Sequence, residues 1–250
     1  MLGALALALA LSAPPRAQPA FVAVVDPGHG GEHDGAFSPD GVPEKRIALE
    51  IARKVVALLK KQGGRVILTR TGDVSVQLQD RSLIANGEQA DLFISIHLNS
   101  MPTRAKRLGT RGIETFFLSA DATDASASAV AARENADLLA GVPGGDGADP
   151  VKGILNDLEY TASLDDSSRL AYAIHERLVK AAGAEDRGVK QAPFYVLAGA
   201  RMPSVLLELG FISHPEESRK LRSPAYQEIL ARAVADGVKV WRTVPQAALR

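Results

Sequence analysis

The chain contains no cysteine. That excludes a disulfide framework, a thiolate nucleophile and cysteine ligation of a metal, while leaving the redox compartment open. It also lacks a net charge, with 29 basic residues against 29 acidic ones. A broad nucleic-acid surface needs a basic excess, so no nucleic-acid partner is expected. No apolar stretch reaches the ~20 residues of a bilayer span, and no internal repeat is present. What is present is 250 residues, of which 46% are hydrophobic. That is enough apolar material for one sizeable core and excludes a wholly disordered chain.

Residues 1–20 (MLGALALALALSAPPRAQPA) differ from the rest. The uncharged run Leu2–Leu11 matches the apolar region of a secretory signal, and Ala8-Leu9-Ala10 resembles its small-x-small cleavage site. The basic residues that normally precede such a run are missing. This segment reads as a leader, and export is the expectation.

From Phe21 the pattern becomes regular. FVAVVD (21–26) is a continuous β-branched run, as in a strand buried on both faces. A helix opens at Pro43-Glu44 with Ile47, Ile51, Val55, Leu58 and Leu59 at helical spacing. Further strands are predicted at 65–70, 92–97, 112–119, 194–199 and 204–210, with helices over 75–89, 165–182 and from Pro224. This alternation is that of a parallel α/β sheet in one domain. Residues 120–164 read as an insertion on it: an Ala-rich helix over 122–140, a loop at 141–150 and a short helix within 151–164.

Two of the five histidines stand where α/β sheets collect ligands. His29 follows the first strand in the turn DPGHGG, and His97 ends the third, at the carboxyl edge of the sheet. Glu44, in the first turn of the helix after the His29 loop, faces the same edge. Two imidazoles and a carboxylate with an open position form a known catalytic zinc arrangement. Asp26 is a candidate to orient His29 from behind. A phosphate-binding turn and an ordinary Gly-rich turn are the other readings of this loop, although it matches neither common phosphate motif. Glu208 lies in the apolar run VLLELGF, where a lone carboxylate is costly unless it is paired or chemically employed. Either it is a general acid–base whose pKa burial raises, or it pairs with Arg70, Arg81 or Arg111. His33 reads as an exposed loop residue, His175 as a surface residue and His214 as a turn residue.

Together, VVDPGHGG, Glu44, SIHLNS and MPSVLLELGFISHPEE resemble the zinc-dependent N-acetylmuramoyl-L-alanine amidases of bacterial cell-wall hydrolysis. The resemblance covers about Phe21–Trp241 and rests on four motifs in order. It implies a six-stranded, mostly parallel sheet flanked by helices, and one zinc ion per chain held by His29, Glu44 and His97. Glu208 becomes the catalytic carboxylate and peptidoglycan the substrate, cut between the muramic lactyl group and L-alanine. Asn99 is a candidate for hydrogen-bonding the substrate.

The insertion, with AARENADLLAGV and ILNDLEYTAS, is similar to the regulatory segment of the division-associated subgroup. The resemblance implies a helix that blocks the zinc until an activator protein displaces it, with Glu134 as the blocking carboxylate. The insertion leans toward a periplasmic location, and a monomer is the expectation. A zinc carboxypeptidase, a small-molecule amidohydrolase and a non-catalytic wall-binding scaffold are the competing readings.

Overall fold

The structure is a computed structural model and describes residues 19–139 and 158–243. The leader-like residues 1–18 and the middle of the expected insertion, 140–157, lie outside the described residues. Six strands form one sheet: β1 (Phe21–Pro27), β2 (Gly64–Leu68), β3 (Leu92–Asn99), β4 (Ile113–Leu118), β5 (Asp186–Ala192) and β6 (Ser204–Phe211). The described helices are α1 (Glu44–Lys61), α2 (Leu78–Gly87), α3 (Arg104–Gly109), α4 (Ala125–Leu139), α5 (Leu158–Ala182), α6 (Pro215–Leu221) and α7 (Pro224–Thr243). The strand order is β2-β1-β3-β6-β4-β5. Every adjacent pair is parallel except β4 and β6, so the sheet is mostly parallel, as expected.

Alternation along each strand explains both the core and the position of the polar cluster. One face carries Ala23, Val25, Ile94, Ile96, Val205 and Leu207, and it packs with the apolar stripes of α1, α5 and α7. The other face begins with Val24, Phe93, Phe116 and Leu206, buried with α2, α4 and the turn after β5. Two residues on, toward the carboxyl ends of β1, β3 and β6, that same face turns polar at Asp26, Ser95, His97 and Glu208, all buried. On the reversed β4, Glu114 lies directly opposite Glu208.

Three expectations need correction. The fifth strand is not 194–199 but DRGVKQA, Asp186–Ala192, on the sheet edge. Phe194, Val196 and Leu197 are apolar because they sit in a turn that covers the second core. Residues 158–164 are not a separate helix but the first turns of α5. His175 is not at the surface: it is buried on α5, between Thr115 Oγ1 at 3.0 Å and Asp186 Oδ1 at 2.8 Å. The short helix α3, which follows β3, has no counterpart among the predicted elements.

Two buried arginines fix the loop after β1. Arg70 donates to the carbonyls of Pro27 and Gly28, and Arg81 to those of Pro27 and His29. Arg81 is in turn held by Asp26, at 2.7 Å. Asp26 therefore does not act on His29 in the expected way. Its oxygens receive Thr69, Ser95 and Arg81, and it reaches the His29 loop through Arg81.

Burial alone would raise the Asp26 pKa, but the Arg81 charge and the two hydroxyls together hold it below the ordinary 3.8. A lowered folded-state pKa stabilises the fold above the unfolded value, and that stabilisation is lost as pH falls through the folded value. Asp26→Asn, which leaves Arg81 buried without its counter-charge, should cost about 3–5 kcal/mol at pH 7. Urea denaturation with chelator present should show that gap closing below about pH 4.

Candidate metal centre

Each ligand candidate is placed by a different element. His29 stands in the loop after β1, with a backbone φ of 58° that a side chain other than glycine rarely adopts. The carbonyl clamps of Arg70 and Arg81 are what hold that conformation. Glu44 opens α1 and turns inward: its Oε1 accepts from Leu98 N at 2.8 Å and its Oε2 from Ala36 N at 2.9 Å. His97 lies near the end of β3. Two glycines make room for these side chains. A Cβ on Gly28 would lie 2.4–2.7 Å from the His97 ring, and one on Gly35 within 2.8 Å of both His29 and Glu44.

The structure brings His29, Glu44, His97 and Glu134 together, with one potential ligand atom from each lying within 4.8 Å of the others. Glu44 Oε1 is 3.2 Å from both His29 Nε2 and His97 Nδ1. Glu134, from α4, places Oε2 3.3 Å from His29 Nε2 and 2.9 Å from His97 Nδ1. All four are buried, and His29, Glu44 and Glu134 line a cleft of about 580 Å³. His97 Nδ1 and Glu134 Oε2 face each other without hydrogen-bond alignment, and neither has a hydrogen-bond partner among the described residues. Buried lone pairs aimed at one point, on two imidazoles and two carboxylates, fit a divalent cation.

The electrostatics agree with that fit. Burial opposes charge on Glu44, yet His29 and His97 bring its pKa down to about 2. Burial likewise opposes charge on His97, but Glu134 and Glu44 lift it to about 9. Without an ion, a proton on the imidazole balances the carboxylates.

Glu208 lies in register with His97 on the neighbouring strand. Its ion-pair partner is none of the three arginines named from the sequence. Arg70 and Arg81 hold the His29 loop, and Arg111 lies beside Glu185. Instead Arg133 of α4 reaches Glu208 Oε1 at 3.3 Å, while Oε2 is buried without a hydrogen-bond partner among the described residues. Burial and the Glu134 charge push the Glu208 pKa well above the usual carboxylate range, against the pull of Arg133. Asn99 is also buried. It donates from Nδ2 to Glu114 at 2.6 Å and turns Oδ1 toward Arg133. Arg133 and Glu114 were missed in the sequence. The signal for Arg133 was its place beside Glu134 on one helix, and Glu114 had no distinguishing pattern. His33 lines the cleft but stands outside the ligand cluster, and His214 caps α6.

Residues 23–240 match the family model described as N-acetylmuramoyl-L-alanine amidase. The chain belongs to that family. This amidase is 38% identical to N-acetylmuramoyl-L-alanine amidase AmiA of Escherichia coli, over 87% of this chain and 74% of that protein. Its fold is similar to the crystal structure of the Clostridium difficile 630 amidase, with a TM-score of 0.68 and 28% identity over 90% of this chain and 98% of that one. It is also similar to the CwlD amidase of Clostridioides difficile, solved in complex with the GerS lipoprotein. The TM-score is 0.68, at 27% identity over 90% of this chain and all of that one. The amidase is thus a peptidoglycan hydrolase with a buried cluster suited to a metal. Among the described residues, no helix is long and apolar enough to cross a membrane.

Because His97 must lose its proton to ligate, metal affinity should rise with pH and level off above about 9. Zinc added to the chelated amidase should release protons at pH 7, read by calorimetry in buffers of different ionisation enthalpy. At ~1,000 times the dissociation constant it should add about 4 kcal/mol of stability, a gain that His97→Ala loses.

Proposed function

We propose that the chain is a zinc-dependent N-acetylmuramoyl-L-alanine amidase held in an inhibited state by its own helix α4. The observation that carries this reading is the Glu134 oxygen lodged between the two histidines, in the position a substrate or water would need. His29, Glu44 and His97 are the residues that would hold the ion. Bound there, zinc supplies Lewis-acid polarisation of the scissile carbonyl and makes an attacking water more acidic.

The chain's own groups do the rest. Glu208, whose Oε2 is buried without a hydrogen-bond partner among the described residues, takes the proton from the attacking water and returns it to the leaving nitrogen. A raised pKa suits that role, since the group must both accept and donate near neutral pH. The bond cut joins the lactyl group of N-acetylmuramic acid to L-alanine.

Closure follows from α4. Its Asp124 caps the first turn by accepting from Ala127 N at 2.7 Å, and Ala127, Val130 and Ala131 are buried against the second core. Asn135 pins the far side to Pro193 O and Tyr195 N. Between these anchors stand Arg133 and Glu134. An activator protein relieves the block by displacing the helix, and the complex of the CwlD amidase with the GerS lipoprotein supports a partner-controlled enzyme. Export to the periplasm and a role in cell separation complete the reading.

Metal analysis of the purified chain should give about one zinc, and mass spectrometry of digested sacculi should show intact stem peptides freed from glycan. Glu208→Gln should keep the metal and lose roughly 10²–10⁴-fold in rate. Glu134→Ala, or deletion of residues 130–160, should raise basal hydrolysis of sacculi. Unchanged or lower activity in folded protein would reject the inhibitory role.

A further inference from the structure

Arg133 does more than accompany Glu134. Its guanidinium donates to Asn99 Oδ1 at 3.2 Å, to the Ser100 carbonyl at 3.0 Å and to Glu208 Oε1 at 3.3 Å. These are three acceptors on β3, on the residue that follows it and on β6, gathered beside the metal cluster. Asn99 cannot turn its amide to offer a donor. Its Nδ2 is fixed by the Glu114 carboxylate, which Arg187 and Lys190 tie down at 3.2 Å and 3.1 Å. Its Oδ1 also accepts from Ser100 N at 2.7 Å, so one lone pair remains for whatever occupies the site of Arg133.

The geometry points to a leaving-amine subsite made of Asn99 Oδ1, the Ser100 carbonyl and Glu208 Oε1, with the adjacent residues Arg133 and Glu134 imitating the two products of hydrolysis. The inference rests on the amidase reading with Glu208 as the proton-transfer group. In the reaction the amide C–N bond breaks and a C–O bond forms from water. Both water protons finish on nitrogen, giving a lactyl carboxylate and the ammonium of L-alanine. Glu134 sets a carboxylate between His29 and His97, where the first product arises. Arg133 sets a cation with several N–H donors on the three acceptors. The two groups touch, Arg133 Nε to Glu134 Oε1 at 2.8 Å, as a newly separated carboxylate and ammonium would.

The subsite has a kinetic consequence. An amide offers one N–H, whereas the departing ammonium offers three and carries charge, so the interactions strengthen as nitrogen is protonated. Glu114 is then a positioning residue: it turns the Asn99 carbonyl oxygen toward the cleft and touches no reacting atom.

The test uses the metal-loaded full chain carrying Arg133→Ala and Glu134→Ala, which vacates both positions. Calorimetry compares the dipeptide L-Ala-D-Glu with its N-acetylated form. The free amine should bind roughly 10–100-fold more tightly. It should bind the unaltered chain far more weakly, because Arg133 fills the subsite. Adding Asn99→Ala should erase the preference and lower kcat on a soluble muramyl peptide about tenfold with little change in KM, a split that a merely structural loss would not give. Should that variant fail to fold, the comparison of the two dipeptides on the background with Asn99 intact decides alone. Equal affinities overturn the subsite. Preference for the free amine without any hydrolysis keeps the subsite and rejects the catalytic reading of Glu208.

Discussion

Glu44, Glu134 and Glu208 bring three buried carboxyl groups close together, and repulsion between like charges strengthens as burial lowers the local dielectric. Much of the surrounding structure is arranged around that conflict. Glu44 is satisfied by two backbone N–H groups and two imidazoles. Glu134 leans on Arg133 with one oxygen and on both histidines with the other. Glu208, which has the least help, is pushed by burial toward its protonated form. A divalent ion would relieve the same repulsion in another way, replacing the His97 proton as the positive charge. The same cluster of two imidazoles and two carboxylates could therefore hold a divalent ion.

Such a pocket needs rigid walls, and these come from ion pairing set one layer deeper. Asp26 stands two residues beyond Val24 on the same face of β1, so the residue that ends the apolar stripe also begins the polar one. Through Arg81 it anchors the carbonyls of Pro27 and His29, and Arg70 secures Gly28 and Lys45. Without these donors, the left-handed backbone at His29 would relax, because that conformation costs about 1–3 kcal/mol outside glycine. The site is in this sense an extension of the sheet's carboxyl edge.

Much of this was legible in the sequence because it follows from local pattern. Runs such as FVAVVD and LFISIH can hardly be anything but buried strands, and a histidine at the end of one is carried to the ligand edge by topology alone. β5 was not legible for a physical reason. An edge strand needs little apolar content, and DRGVKQA has little, whereas FYVLAG owes its apolarity to covering a core from within a turn. His175 misled in the same way. Its helical position beside the stripe looked peripheral, and only the approach of Thr115 and Asp186 buries it. The partner of Glu208 was beyond reach, since nothing local says that a helix 75 residues upstream will lay an arginine on it.

The reversal of β4 and β5 against the rest of the sheet brings two carboxylates face to face. Glu114 and Glu208 lie opposite each other across the one antiparallel pairing, so their side chains rise on the same face. They are the same residue type at the same depth, yet their surroundings differ. Glu114 is filled by Asn99, Arg187 and Lys190, two of them cations carried by the neighbouring β5. Glu208 meets a single cation, at 3.3 Å on a helix, and keeps one oxygen without a hydrogen-bond partner among the described residues. Three donors hold both oxygens of Glu114 in place, so it can orient a neighbour, whereas Glu208 keeps one buried oxygen without a hydrogen-bond partner among the described residues. Because the cations on Glu114 come from the sheet and the cation on Glu208 comes from α4, a movement of α4 alters Glu208 and leaves Glu114 in place. The fold thus ties one carboxylate to cations of its own sheet and the other to a cation on α4.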